Sequence, residues 1–254
     1  MQQQRSSANK PPEHWSPPFL NTLFLAMTTR NWRRTLAVIP LLIILLAASI
    51  AAIRAGVADL YAYFPRQHLE HWQNTGKSPS ETQLTQALGN IETAHSWQPD
   101  NAEYSDMQAL LLYYQAVTKY QRQDQSDFIA TTRQAIDSYR QATLKRPNWP
   151  YSWANFALMK AAIQQFDKEY LHALQRATEL GPWENAVNTS VAEAGLLGWP
   201  HLDQTTQAAV IKNIERGIKR NKKALKQRLS AINKLTIACI NLQASTDRKQ
   251  FCGF

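Results

Sequence analysis

The chain has 254 residues, of which 44% are hydrophobic and 19% are charged, and this composition excludes wholesale disorder. Two cysteines exclude a disulfide-dense scaffold and a zinc site built on cysteines alone. The formal net charge of +9 is uneven, because residues 1–34 carry +4, residues 54–211 carry −4 and residues 212–254 carry +9. The two basic ends therefore need separate explanations.

The first predicted element is a membrane-spanning helix. Residues 35–53 form a run of 19 residues without a charge. At about 1.5 Å per residue this run covers about 28 Å of a hydrocarbon core that is about 30 Å thick. A cleaved signal peptide would have a shorter apolar run nearer the N-terminus. We therefore predict a retained transmembrane helix over residues 35–58.

The distribution of lysine and arginine predicts the orientation of this helix. Residues 1–34 carry +4, whereas residues 54–79 carry only +1. The positive-inside rule places the basic N-terminal segment, residues 1–34, in the cytoplasm and the rest of the chain on the other side. In a bacterium this predicts an inner-membrane protein with a periplasmic domain.

Residues 59–211 are predicted to form tetratricopeptide-like helical repeats. Three segments share a small or aromatic residue, a bulky residue four positions later, an alanine three positions after that, and a proline five positions further on. They are Ala87-Ile91-Ala94-Pro99, Ala135-Tyr139-Ala142-Pro147 and Tyr170-Leu174-Ala177-Pro182. The first three positions share a helix face, and the proline ends the helix. The predicted fold is all-α, with one transmembrane helix followed by an α-solenoid.

The spacing of the repeats is unequal. Pro147 and Pro182 lie 35 residues apart, but Pro99 and Pro147 lie 48 apart. This difference predicts either an insertion or longer helices around Gln121–Asp127. Residues 212–254 are predicted as a basic C-terminal helix and tail, with an apolar face within 212–242 that caps the array.

The sequence contains no residue set that indicates catalysis or a bound cofactor. Neither GxGxxG nor GxxxxGK[ST] occurs, so Gly-rich phosphate loops are not predicted. His68 and His71 could share a helix face, but no third metal ligand accompanies them. A glycan hydrolase would need two facing carboxylates, which a sequence cannot place. We therefore expect a protein that is not an enzyme and that holds no metal or cofactor.

Binding residues are predicted on two surfaces. Tyr151, Asn155 and Leu158 are expected to face the groove of the array. Lys219, Lys222 and Lys223 belong to a basic run and are expected to contact an anionic partner, such as an anionic glycan. The predicted topology argues against nucleic acid, although charge alone would allow it.

Two cysteines lie close together near the C-terminus. Cys239 and Cys252 are 13 residues apart and could form a disulfide in an oxidising compartment. Two buried free thiols are the alternative.

The order of these features resembles the VpsP-like polysaccharide-biosynthesis family of single-pass tetratricopeptide proteins. The resemblance covers most of residues 57–220. It rests on four segments: ADLYAYFPRQHLEHWQNTGKSPS at 58–80, PNWPYSWANFALMKA at 147–161, LGPWENAV and GWPHLDQTTQAAVIKNIERGI. It implies a membrane-anchored accessory protein of exopolysaccharide assembly or export, whose partners are polysaccharide-assembly membrane proteins or the glycan. A periplasmic chaperone-type or translocon-associated tetratricopeptide protein is the alternative, and its clients would be unfolded secretory chains.

Overall fold

A computed structural model describes the backbone of residues 18–253 and the side chains of Trp32 and residues 38–253. Within these residues the chain forms ten α-helices, one short 3₁₀ helix and no strand, which confirms the all-α prediction. The basic segment predicted over 1–34 lies mostly outside the described side chains. The helices are α1 Pro18–Thr75, α2 Glu81–Trp97, α3 Ala102–Gln121, α4 Gln125–Lys145, α5 Pro150–Ala162, α6 Lys168–Leu180, α7 Asn185–Leu197, α8 Gln204–Ala231, α9 Leu235–Asn241 and α10 Thr246–Cys252, with the 3₁₀ helix at Trp199–His201.

Short polar residues fix where the helices begin. The Ser80 side chain accepts a hydrogen bond from the backbone N–H of Gln83, and the Gln83 side chain accepts one from the backbone N–H of Ser80, which forms a capping box before α2. Asn, Asp or Ser side chains cap five further helices by accepting a hydrogen bond from a backbone N–H of the first turn. These caps are Asn101, Asp124, Asp167, Asp203 and Ser245.

The chain divides into two compact units, residues 1–53 and residues 54–254. In the first unit, the described side chains from Val38 to Ile53 are exposed, and all but Ser49 are apolar. The described part of α1 contains an 18-residue stretch with a mean hydropathy of 2.4 and no buried residue. Among the residues that the structure describes, α1 is the one helix long and apolar enough to cross a membrane.

Ala58, the last residue of the predicted membrane helix, has no exposed surface and packs with Ala62, Leu84 and Ile91 in an apolar cluster of the second unit. Arg54, also within the predicted helix, donates hydrogen bonds to the carbonyl of Trp97 in α2. The last residues of the predicted interval therefore contact α2.

The second unit is a row of helix pairs. Contacts join α3 with α4, α5 with α6, and α7 with α8, and further contacts join successive pairs. Short links between adjacent helices produce antiparallel hairpins. All nine non-proline positions of the three predicted repeat segments lie in α2, α4 or α6 and are at most 2% exposed. The pattern therefore marks the buried face of the second helix in each hairpin.

Longer helices account for the unequal repeat spacing. Helices α3 and α4 have 20 and 21 residues, whereas α5 and α6 have 13 each. The link between α3 and α4 is only Arg122–Asp124. Of the two predicted alternatives, the structure has longer helices and no insertion.

The C-terminal region differs from the single helix predicted within 212–242. Helix α8 begins before residue 212, so the predicted boundary between 211 and 212 falls inside it. Asn221 breaks its helical geometry with φ −151° and ψ 72°. The chain leaves the helix again before α9, and Ile240, an apolar residue within the segment predicted to cap the array, is 69% exposed. A disulfide joins Cys239 of α9 to Cys252 of α10.

Candidate functional site

The second unit contains a groove of about 750 Å³. Its walls come mainly from α3, α5 and α7, the first helices of three consecutive hairpins, together with the end of α1. The second helices α2, α4 and α6 place their small residues in the core. The first helices are therefore free to present polar and aromatic side chains to the groove.

Helix α5 contributes the three residues predicted to face the groove. Tyr151, Asn155 and Leu158 all line it. Their spacing of four and then three residues places them along one face of a helix. Pro150 occupies the first turn of α5, where a missing N–H costs no hydrogen bond.

Helix α7 presents an equivalent set that the sequence analysis did not identify. Tyr151, Asn155 and Leu158 follow Pro147 by 4, 8 and 11 residues, and the same offsets from Pro182 give Ala186, Ser190 and Glu193. All three line the groove, and the Ser190 hydroxyl donates a hydrogen bond to Asn155 Oδ1 at 3.1 Å. Carrying the offsets from one proline to the next would have found them.

The aromatic residues of the opposite wall were also missed. Tyr113 and Tyr114 of α3 and Trp72 of α1 line the groove. The Trp72 and Tyr114 rings meet edge to face, with centroids 5.5 Å apart. Because α3 is longer than α5, counting from Pro99 does not reach the tyrosines, and only the helical spacing from Leu110 to Val117 could have indicated them.

An ion pair occupies one part of the groove wall. Arg228 Nη2 of α8 donates to Glu193 Oε1 at 2.8 Å and to the Tyr113 hydroxyl at 3.3 Å, while its Nε donates to Glu193 Oε2. The Glu193 side chain is only 8% exposed. Burial opposes the charge on Arg228, but hydrogen bonding and attraction from Glu193 outweigh it and raise the pKa of Arg228. The pair ties α8 to α7 and α3 beside the groove.

Two groove tyrosines are held in their neutral form. The Tyr151 hydroxyl donates to Glu184 Oε2 at 2.6 Å, and this bond, together with burial, raises the pKa of Tyr151 to about 12. Burial raises the pKa of Tyr139 well above its usual value, and nearby Asp106 adds to the effect. Both groups therefore act as neutral hydrogen-bonding phenols at physiological pH.

The three predicted lysines are not among the residues that line the groove. Lys219 precedes the break at Asn221, whereas Lys222 and Lys223 follow it. Lys222 Nζ contacts Gln250 and lies 3.6 Å from Asp247, so its charge is engaged with α10. Lys219 and Lys223 are exposed but line separate shallow depressions.

The described part of the chain offers no grouping of three or more His, Cys, Asp or Glu side chains that could hold a metal ion. His68 stacks on Trp72 with ring centroids 5.4 Å apart. The groove instead combines aromatic rings, amides and hydroxyls with the Glu193–Arg228 ion pair and the side chain of Lys77. Such a surface can stack on a ligand and exchange hydrogen bonds with it.

No protein-family model matches this chain, and no curated protein matches it.

Proposed function

We propose that this protein is a non-catalytic, membrane-anchored accessory protein of exopolysaccharide assembly or export in the bacterial inner membrane. Its helical array holds the nascent glycan, or a polysaccharide-assembly protein that carries it, on the periplasmic side. The single observation that carries the proposal is the groove, where consecutive hairpins present aromatic, amide and hydroxyl groups on one continuous surface.

The chemistry of the groove favours a glycan segment. Aromatic faces stack on sugar rings, and Asn, Gln, Ser and Thr exchange hydrogen bonds with sugar hydroxyls. Asn74, Asn155, Asn185 and Thr189 supply such groups around the rings. The buried carboxylate of Glu193 and the partly exposed guanidinium of Arg228 satisfy each other. A neutral or weakly charged sugar chain therefore loses little solvation of ions when it enters.

The paired cysteines support a periplasmic location for the domain. Disulfides persist in oxidising compartments such as the periplasm, and Cys239 is bonded to Cys252. The charge bias around the apolar helix favours the same orientation. The resemblance to the VpsP-like family adds the expectation of an exopolysaccharide client.

A complementation experiment in the native host tests this function. Deletion of the gene is expected to reduce extracellular polysaccharide, and the unmodified gene restores it. The full-length Tyr151→Ala and Asn155→Ala variants should insert in the membrane normally but restore little polysaccharide. Tyr120→Ala provides the matched control, because Tyr120 is 62% exposed and lies outside the residues that line the groove.

Two results would argue against the proposal. A deletion strain with unchanged extracellular polysaccharide contradicts the exopolysaccharide role. Accumulation of unfolded secretory proteins in that strain, with polysaccharide intact, would instead support the chaperone-type alternative.

A further inference from the structure

Large apolar side chains are exposed where one hairpin passes to the next. Trp97 ends α2, Leu144 lies in the last turn of α4, and Trp149 and Trp183 lie in the links before α5 and α7. They are 38%, 70%, 40% and 55% exposed, respectively. We call these four residues the corner surface. Because the second helices of antiparallel hairpins all end on the same side, these residues share one end of the array.

Contacts between neighbouring links confirm that the corners adjoin. Lys145 donates to the Pro99 carbonyl, which joins the end of α4 to the link after α2. A Cβ on Gly181 would lie 2.7 Å from Pro150 Cβ, so the link after α6 packs tightly on the start of α5. The three corners therefore follow one another as a row.

The first corner of this row lies beside Arg54, which directly follows the apolar run. Arg54 is the first charge after residues 35–53, and its guanidinium donates two hydrogen bonds, at 3.0 and 3.1 Å, to the Trp97 carbonyl. The first corner therefore contacts the first charged residue that follows the apolar run.

Exposed apolar residues continue along α1 beyond Arg54. Leu60, Tyr61, Tyr63 and Phe64 are each at least 42% exposed. The opposite face of this segment packs in the domain core through Ala58 and Ala62. Tyrosine and tryptophan are the residues enriched where a bilayer meets water.

Cations accompany two of the exposed tryptophans. The guanidinium of Arg146 lies 4.2 Å from the ring centroid of Trp149, and that of Arg216 lies 5.4 Å from the ring centroid of Trp183. Arginine can keep its charge near lipid phosphates while its stem and the neighbouring ring lie deeper. Asp100 and Glu184 lie in the links of this end, and Arg146 also pairs with Asp106 Oδ2 at 2.8 Å, so the surface carries charges of both signs.

We propose that the corner surface lies in the interfacial zone of the same bilayer that holds the apolar helix. The array then rests on the membrane along its row of proline links. A protein partner is the less favoured occupant, because the row is continuous with the end of a candidate membrane span and combines tryptophan with arginine, as interfacial surfaces do.

Quenching of tryptophan fluorescence by brominated lipids tests this proposal with the full chain. The protein is reconstituted in vesicles of phosphatidylethanolamine and phosphatidylglycerol, with bromine on the acyl chains close to the headgroup. Trp149→Phe and Trp183→Phe are each expected to lower the fraction of emission that these lipids quench, because each removes an indole in contact with lipid. Bromine placed near the acyl-chain ends should quench these two indoles less.

Trp199→Phe is the matched control. Trp199 lies in the link inside the α7–α8 hairpin, at the opposite end of the array, so its removal should leave the quenched fraction unchanged or slightly raised. Far-ultraviolet circular dichroism of each variant checks that the fold is retained. Quenching that is insensitive to Trp149 and Trp183, or that falls equally for Trp199→Phe, would overturn the proposal. The measurement does not involve the groove, so its result is independent of the proposed function.

Discussion

The hairpins over residues 81–184 and the C-terminal region over residues 204–253 are stabilised in different ways. In the hairpins, alanines and a few large side chains recur at fixed spacing and are fully buried. In the C-terminal region, helix α8 is broken at Asn221, α9 and α10 have seven residues each, and a disulfide joins them. The hairpins depend on a periodic local pattern, whereas the C-terminal region depends on individual long-range contacts.

This difference shows which substitutions matter most in each region. Periodic packing spreads stability over many small contacts, so the hairpins tolerate the loss of exposed groups. The C-terminal region also buries apolar side chains in the core, such as Ile214, Leu225 and Phe251, but it adds an ion pair with Glu193 and one covalent bond. Four experiments test this difference between the two regions.

The largest effect is expected from Arg228→Met. This change leaves the Glu193 carboxylate, 8% exposed, without its partner. Removing one member of a fully buried pair costs about 3–5 kcal/mol, and because the Arg228 side chain is 40% exposed, the loss is expected towards the lower end of that range. Chemical denaturation of the full chain in detergent micelles measures the loss in the free energy of unfolding. The double variant Glu193→Leu with Arg228→Met is expected to recover most of it, because no buried charge remains. A single variant as stable as the parent would show that the pair does not hold the C-terminal region.

Removal of the disulfide is expected to have the next largest effect. Closing a loop of this size stabilises a protein by about 3 kcal/mol in the chain-entropy view. The variant Cys239→Ala with Cys252→Ala should exchange amide hydrogens faster in α9 and α10, while α4 keeps its protection. Hydrogen exchange read by mass spectrometry separates the two regions. Equal loss of protection in α4 would mean that the C-terminal region and the hairpins unfold as one unit.

A paired comparison of glycines tests the close contact between α7 and α8. Gly195→Ala would place a Cβ 2.7 Å from both γ-carbons of Val210, and such overpacking costs about 1–3 kcal/mol. Gly89 lies inside α2 with no atom within 4 Å of the added carbon, so Gly89→Ala should instead stabilise by about 0.5–1 kcal/mol. Thermal unfolding of both variants gives the sign of each effect. Val210→Ala in the Gly195→Ala background should relieve part of the loss.

The smallest expected effect is a dependence of stability on pH within the hairpins. Hydrogen bonds from Arg140 and Lys160 lower the pKa of Glu169 to about 2, and the Lys160 side chain is fully buried. Because the folded-state pKa lies below the ordinary value near 4.5, Glu169 stabilises the fold above that value, and this contribution is lost as the pH falls towards 2. Unfolding followed between pH 5 and pH 2.5 should show a shallower decline for Glu169→Gln than for the parent. Parallel declines would exclude Glu169 as a source of the acid sensitivity.

Much of the hairpin region could be predicted from the sequence. The alanine and proline spacing identified the buried faces of α2, α4 and α6, because that information is local and repeats. The placement of Tyr151, Asn155 and Leu158 in the groove followed from the same register. Ser190 and Glu193 were within reach of that argument.

The rest of the site could not be predicted in this way. Arg228 reaches the groove from a helix whose geometry is broken at Asn221. No local sequence pattern predicts a helix break at that residue. The three lysines were grouped by charge and proximity in sequence, and that grouping did not anticipate the contacts of Lys222 with Gln250 and Asp247 of α10. The geometry of the C-terminal region depends on contacts between residues far apart in sequence, which a local sequence pattern does not reveal.

A binding measurement with oligosaccharides tests whether the groove holds a glycan. The full chain in lipid nanodiscs is titrated with oligosaccharides prepared from the host's own extracellular polysaccharide, and in parallel with unfolded secretory peptides, while hydrogen exchange of α3, α5 and α7 is followed. If the groove binds the glycan, the oligosaccharides should protect these three helices from exchange. This protection should be abolished in Tyr151→Ala and retained in Tyr120→Ala. Protection by the peptides alone, or protection that Tyr151→Ala leaves intact, would contradict glycan binding in the groove.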